Sequence, residues 1–303
     1  MKPNLKVKIG GLNLKNPVMA ASGTFGYGTE FEDVADIKAL GAIVTKTITP
    51  RARSGNRPPR IAETASGMLN AIGLENPGAE EFIKKTLPSL KRFKIPVIAS
   101  IAGDSAGEYK RLAAMMDTAD GVAAVEINIS CPNVRDGRIF ARDEGLTAKV
   151  VRGVRRATRK TVITKLSPNV TDIAAIAKAA EAAGSDAVSL INTIRAISVD
   201  IEKRESVLGN VTGGLSGPAI KPIALQMVRD VYARCGIPII GAGGIMDWRD
   251  AVEFILCGAS AVSVGTANFV NPDAAAETAK GMERYLREKK IRDISELIGG
   301  LRR

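Results

Sequence analysis

The amino-acid sequence predicts an α/β fold, a (β/α)8 TIM barrel with an N-terminal β-hairpin and long loops at the C-terminal face. Three observations carry that expectation. Eight short, apolar, β-rich runs recur along the 303 residues, amphipathic helical stretches alternate with them, and the residues that end the runs are unusually polar. Length alone would allow two domains, but barrels of this class commonly use about 250 residues as one, so residues 1–303 are read as a single domain.

Leu5 to Ile9 and Leu12 to Leu14 flank Gly10-Gly11, a two-residue hairpin signal that would cap the bottom of the barrel. The eight barrel strands are expected at Pro17 to Ser22, Ala42 to Ile48, Pro96 to Ala102, Ala124 to Ser130, Thr161 to Leu166, Ala187 to Asn192, Pro238 to Ala242 and Ala261 to Thr266. A helical stretch is expected after each, for instance Ala79 to Phe93, Ala148 to Thr158, Asp172 to Ala183, Ala219 to Arg234, Asp247 to Leu256 and Pro272 to Glu288, with Gly or Pro at the joints. Two connections exceed simple loops: Thr49 to Pro77, with its run Arg51-Ala-Arg-Ser-Gly-Asn-Arg-Pro-Pro-Arg60, and Thr193 to Pro218, rich in Gly and Ser. Barrel loops of that length are usually functional. Pro132 to Gly145 mixes Gly137 with charges, a composition shared by mobile lids and ordinary surface loops.

Lys plus Arg number 43 against 32 Asp plus Glu, a formal net charge of +11. The basic residues are scattered through helical segments such as Lys149 to Lys160 and Arg284 to Lys290. With 4% aromatics and no nucleic-acid motif, the surplus reads as a solvated basic face, and no nucleic-acid partner is expected. No apolar run approaches the roughly 18 residues of a membrane span, and the start, Met1-Lys-Pro-Asn-Leu-Lys6, lacks a signal-peptide core; a cytoplasmic location without membrane association is expected. Cys131, Cys235 and Cys257 are widely spaced and form no C-x-x-C, so neither a disulfide framework nor a four-cysteine metal or iron–sulfur site is expected on this chain. Histidine is absent, which leaves proton transfer to Cys, Lys, Asp, Glu or Tyr.

The stretch Ala124-Val-Glu-Ile-Asn-Ile-Ser-Cys-Pro-Asn133 says most about chemistry. Alternation of Val125, Ile127 and Ile129 argues a strand, and Pro132 cannot donate to a ladder, so pairing should stop near Cys131. A reactive thiol would then sit where strand becomes loop, between Asn128 and Asn133; the competing reading is a small thiol packed at a strand end. Other strand ends supply Ser22, Lys46, Thr47, Ser100, Lys165, Asn192 and Thr193. Two lysines and two asparagines buried at strand ends with no matching acids are costly unless a ligand satisfies them, which implies an anionic, hydrogen-bonding ligand. Gly241-Ala-Gly-Gly-Ile245 after strand seven and Val264-Gly-Thr-Ala267 after strand eight place glycines next to helix starts, where barrels hold phosphate on backbone N–H groups. Gly241-x-Gly243 runs on to Met246, so no G-x-G-x-x-G is completed, and no P-loop occurs.

Taken together, Ala20-Ala-Ser-Gly-Thr-Phe-Gly26, Thr45-Lys-Thr47, Asn70-Ala-Ile-Gly-Leu-Glu-Asn-Pro-Gly78, Asn128-Ile-Ser-Cys-Pro-Asn133, Ile191-Asn-Thr193, Gly241-Ala-Gly-Gly-Ile245 and Gly265-Thr266 resemble the catalytic subunits of class 1B dihydroorotate dehydrogenases over nearly the whole chain. The resemblance implies one FMN, contacted by Ser22, Lys46, Thr47, Ser100, Asn128, Lys165, Ile191, Gly217, Gly243, Gly244, Gly265 and Thr266, with the glycine pairs at its phosphate. It implies dihydroorotate against Lys46, Asn70, Ala71, Ile72, Gly73, Leu74, Asn128, Asn133, Asn192 and Thr193, with Cys131 as the base and Lys46 and Lys165 in the catalytic set. A thiolate can take a proton from the carbon α to a carbonyl without histidine, and asparagine amides match the alternating C=O and N–H edge of a pyrimidine. Two departures stand out. The family usually has asparagine where this chain has Ser100, and Val134-Arg-Asp-Gly-Arg138 differs from the commoner family wording.

Gly26-Tyr-Gly28 and Asn70-Ala-Ile-Gly73 resemble class 1B, in which electrons pass to NAD, and not the fumarate-using class 1A. The resemblance therefore implies a partner subunit carrying FAD and a 2Fe–2S cluster, two catalytic with two accessory subunits. A class 1A-type enzyme, a Schiff-base aldolase using Lys165, and a basic nucleic-acid-binding barrel are the alternatives.

Overall fold

The computed structural model describes residues 2–130 and 140–302. Eight parallel strands close into a barrel: Val18–Ala20, Ala42–Val44, Val97–Ile101, Val122–Asn128, Thr161–Lys165, Ala187–Leu190, Ile239–Ala242 and Ala261–Val264. Each pairs with its successor, and the eighth returns to the first through Val262 opposite Val18. All eight lie within the runs expected from sequence except the fourth, which starts two residues earlier, at Val122, beside a register irregularity at Val97 and Ile98.

The period-2 rule sorts strand residues between two cores. Met19, Ala42, Val44, Ile98, Ala124, Ile163, Ala187, Ile240 and Ala261 fill the barrel interior, and Ile9, Leu12 and Leu14 join them from below. Those three belong to the hairpin Val7–Ile9 with Leu12–Leu14, whose turn uses Gly10 at φ +57°. The hairpin thus plugs the bottom as expected. Strand residues of opposite parity, such as Val125 and Ile127, pack outward against the helices.

Four features of the connections differ from the sequence reading. After the first strand there is no α-helix, only short 3-10 turns at Thr29–Phe31 and Ile37–Ala39, because Gly23, Gly26 and Gly28 at positive φ interrupt any helical ladder. A helix at Ala106–Thr118, N-capped by Ser105, follows the third strand and had no assigned range. The stretch Ala79 to Phe93 is not one helix: it widens into a π turn at Phe82–Thr86 and resumes at Leu87–Leu90, where Pro88 brings no N–H to the ladder. The fourth strand's helix begins at Glu144, not Ala148, because Asp143 caps it by accepting from the Leu146 N–H.

The two long connections also build something together. Ile194–Ala196 and Gly213–Ser216 from one, and Gly67–Asn70 and Ile61–Thr64 from the other, form a four-stranded antiparallel sheet in that order, at the C-terminal end of the barrel. The would-be Cβ of Gly67 lies 2.1 Å from the Ser216 carbonyl oxygen, so only glycine lets the two connections approach here.

Candidate active site

Side-chain parity puts a polar layer above the apolar barrel interior. Ser100, Glu126, Lys165 and Ser189 share the parity of Ile98, Ala124, Ile163 and Ala187, so all four face the barrel axis, one layer nearer the mouth. Ser100 stands opposite Glu126, and Lys165 stands opposite both Asn128 and Ser189. Glu126 is 4% exposed. Its carboxylate accepts from Ser100 Oγ at 3.2 Å and from Ser189 Oγ at 3.0 Å, and the Lys165 ammonium lies 3.9 Å away. The expectation of lysines without matching acids is therefore corrected: the acid sits inside the fourth strand, where the alternating pattern gave no sign of its facing a cation on the fifth.

Hydroxyls and amides continue from that carboxylate to the rim. An ionised carboxylate only accepts, so Ser100 donates to Glu126 and must receive its own bond from Thr47, 3.1 Å away; Thr47 in turn receives from Ser22 at 3.2 Å and from the Asn128 amide at 3.3 Å. Asn192 donates to Asn128 Oδ1 at 3.4 Å. Ser22, Thr47, Ser100, Glu126, Asn128 and Asn192 thus form one connected set, with Lys165 beside it. Ser100 lies fully buried beneath it with its hydroxyl committed to Thr47 and Glu126. At 3.9 Å, Lys165 is too far from Glu126 for a hydrogen bond, and among the described residues no acceptor takes its N–H groups. Lys46, at 3.9 Å from Glu75, is in the same position.

The segment from Asn70 to Leu74 is held over this floor from outside. Asn70 ends its strand and donates to the Gly214 carbonyl at 3.3 Å. Gly73 sits at φ +76° and Leu74 at φ +56°; a Cβ at Gly73 would come within 2.6 Å of the Asn56 side chain, whose amide donates to the Ala71 carbonyl. Buried Asn76 fixes the exit, donating to Thr49 Oγ1 and the Leu74 carbonyl and accepting from the Thr49 and Gly78 N–H groups. On the far side, Asn169 donates to the Thr193 carbonyl and accepts from the Arg195 N–H. Sequence reading assigned no role to Glu126, Asn76, Asn169 or Ser189. Only the Asn76 role had a usable signal, an asparagine two residues before a glycine at a sharp turn.

The glycine runs converge at one edge of the mouth. Gly217, Gly243 and Gly244 all have positive φ, and a Cβ on Gly244 would lie 2.9 Å from the Gly217 carbonyl and 2.7 Å from Lys221 Cβ. Thr266 donates to Ser216 Oγ at 2.8 Å, which ties the eighth strand to the same place. Among the described residues, no acceptor takes the backbone N–H of Gly243, Gly244, Gly265 or Thr266. The helix after strand seven begins only at Trp248, with Asp247 and Asp250 closing a capping box on its own N–H groups. After strand seven the anion-binding capacity consequently belongs to loop amides, whereas after strand eight Gly265 and Thr266 directly precede the short helix Ala267–Val270, as expected. Ile191, whose N–H bonds to the Ala242 carbonyl, packs 3.1 Å from the would-be Cβ of Gly243.

Three candidates for proton transfer are removed by their surroundings. Burial, helped by the nearby Glu30 charge, pushes the Tyr27 phenol far above its usual range, and burial raises both the Cys235 and Cys257 thiols. Cys131 and Asn133 lie outside the described residues, as does most of the stretch from Pro132 to Gly145. Among the described residues no group of three or more Cys, Asp or Glu side chains could hold a metal ion, and no helix is long and apolar enough to cross a membrane.

Comparison with known proteins places the chain. A sequence profile described as dihydroorotate dehydrogenase matches residues 4–286. The chain is 56% identical over 304 residues to a protein of Desulforudis audaxviator, covering 100% of this chain and 99% of that one, and 56% identical over 302 residues to one of Trichlorobacter lovleyi, covering 99% of each. A protein of Geobacter sulfurreducens is 54% identical over 301 residues, again covering 99% of each. All three are named dihydroorotate dehydrogenase B (NAD(+)), catalytic subunit.

Proposed function

Because this chain belongs to the dihydroorotate dehydrogenase family, we propose that its barrel mouth binds FMN over the Glu126–Lys165 layer and dihydroorotate beneath the Asn70 to Leu74 segment. The reaction is the oxidation of dihydroorotate to orotate in pyrimidine biosynthesis, and the chain is an oxidoreductase. The donor set fits the cofactor. Four loop amides at Gly243, Gly244, Gly265 and Thr266, without acceptors among the described residues, match a dianionic phosphate, and Lys165, whose N–H groups no described residue accepts, matches a ring edge that gains negative charge on reduction. The convergence of those amides with the lysine and asparagine network is the single observation that carries the reading.

When bound, the flavin supplies the acceptor for a hydride from the substrate. The protein does the rest. Lys46, anchored only at 3.9 Å by Glu75, offers its ammonium to the substrate carboxylate; Asn70, Asn128, Asn133, Asn192 and Thr193 read the ring's donors and acceptors. Ala71, Ile72, Gly73 and Leu74 shape the wall and exclude water. Cys131, as thiolate, takes the proton from the carbon α to the carbonyl. Electrons leave for NAD through a partner subunit with FAD and a 2Fe–2S cluster, two of each subunit per assembly. In support, the relatives are named NAD(+) catalytic subunits, while this chain has three cysteines and no nicotinamide fingerprint.

An anaerobic visible spectrum before and after L-dihydroorotate tests this directly. A yellow spectrum that bleaches supports it, yellow without bleaching removes the substrate assignment, and a colourless chain that also refuses added FMN overturns it in favour of a lysine-imine aldolase. Full-rate NAD reduction by the isolated chain would remove the partner.

A further inference from the structure

Glu126 is absent from the set of residues to which any contact with cofactor or substrate has been ascribed, yet it is the one fully buried charged residue among the described residues. Enclosing a carboxylate is costly by several kcal/mol unless partners compensate it. Here the partners come from three other strands: Ser100 on the third, Ser189 on the sixth and Lys165 on the fifth. Each carboxylate oxygen accepts from one hydroxyl, and the lysine lies at 3.9 Å, attracted but not bonded. An ammonium held in that way is drawn to one place while its N–H groups remain available above it.

Resting on the FMN reading above, we infer that Glu126 is a positioning residue for the flavin: it holds Lys165 under the ring edge and tempers the positive charge that this lysine presents there. The geometry supplies both parts. The pair is electrically balanced, with its positive end toward the mouth and its negative end below, so the ligand meets a dipole instead of a bare cation. Neutralising the carboxylate leaves the cation unopposed at low local dielectric, and a flavin above it should attract electrons and anionic nucleophiles more strongly. Ser189 and Ser100 then serve to fix the carboxylate in place below the lysine.

The test is sulfite titration of the FMN-loaded full chain at pH 7, read as loss of flavin absorbance, since sulfite adds to the flavin in proportion to nearby positive charge. Glu126→Gln should tighten sulfite binding about tenfold. The same substitution placed on Lys165→Met should change it less than twofold, because the lysine through which the carboxylate acts is gone. A dissociation constant for Glu126→Gln within twofold of the parent overturns the inference. So does an undiminished tenfold effect in the Lys165→Met background, which would make Glu126 act on the flavin directly. Where Glu126→Gln does not fold, Glu126→Asp keeps the charge and withdraws it from Lys165; tightening of about threefold supports the role and none removes it. A parent chain that binds no flavin would instead sink the functional reading on which this rests.

Discussion

The Lys46 ammonium lies 3.9 Å from the same Glu75 oxygen that the Arg60 guanidinium grips at 2.7 Å. Arg60 is further fixed by donating to the carbonyls of Asn56 and Ser54, so the carboxylate belongs to Arg60, and Lys46 is steered by it without being bound. Lys46→Ala should therefore cost little stability, under about 1 kcal/mol for a partly exposed pair. The loss should fall on substrate binding instead. Removing a charge-assisted bond to a carboxylate is worth about 1.5–3 kcal/mol, so KM for L-dihydroorotate should rise by roughly ten- to a hundredfold with the melting temperature nearly unchanged. Steady-state kinetics with a thermal melt separates the two, and an unchanged KM would remove Lys46 from the substrate site.

The glycine edge makes a second, differential prediction. Gly244 sits at φ +80° with its would-be Cβ 2.7 Å from Lys221 Cβ, whereas nothing lies within 3.6 Å of the would-be Cβ of Gly265. Gly244→Ala must shift the turn that aims the amides and adds about 1–2 kcal/mol of left-handed strain. It should weaken FMN retention by at least about tenfold, and Gly265→Ala should do so much less. The flavin-to-protein ratio after gel filtration checks both; equal retention in the two variants would argue that the phosphate is held elsewhere.

These two sites mark how far the sequence could be read. Barrel strands were legible because short apolar runs and alternation survive without tertiary context, and the glycine edge was legible because positive φ and close approach leave glycine in the chain. What escaped depended on partners distant in sequence. Glu126 looks like the polar half of an alternating strand, and only strand order and register reveal that it points inward at Lys165. The sheet at the mouth pairs Gly67–Asn70 with Gly213–Ser216, about 145 residues apart and glycine-rich, with none of the β-branched signal that marks a strand. Asn169, which fixes Thr193, lies in a loop whose own sequence reads only as a turn.

Acid stability offers a third test, away from the mouth. Asp117 accepts from Thr158 Oγ1 at 2.6 Å and from the Arg159 N–H at 2.8 Å, and these bonds, the hydroxyl's first, hold its carboxyl below the usual range. Its folded pKa thus lies below the unfolded value of about 3.9, so the unfolded chain binds the extra proton and the contribution is full above that value. It disappears as pH falls through the folded pKa. Asp117→Asn should accordingly lower the melting temperature at pH 6 but flatten its decline between about pH 4 and pH 3. Parallel melting curves for variant and parent across that range would contradict the assignment.

The proposed role of Cys131 as base can be tested through pH. With no histidine in the chain, with Tyr27 pushed up by burial and Cys235 and Cys257 raised in the same direction, Cys131 is the thiol proposed above as the base. A general base is worth about 10²- to 10⁴-fold, and a serine hydroxyl ionises far too reluctantly to replace a thiolate. Cys131→Ser should keep its yellow colour and bind orotate, while flavin bleaching by L-dihydroorotate slows by about that factor at pH 7. The sign of the pH dependence follows from which form works. In the parent, bleaching should accelerate as pH rises through the thiol's pKa and then level off, whereas in the variant it should keep rising across the accessible range. Stopped-flow absorbance under nitrogen measures both profiles, and a variant that bleaches at the parent's rate would strip Cys131 of the role.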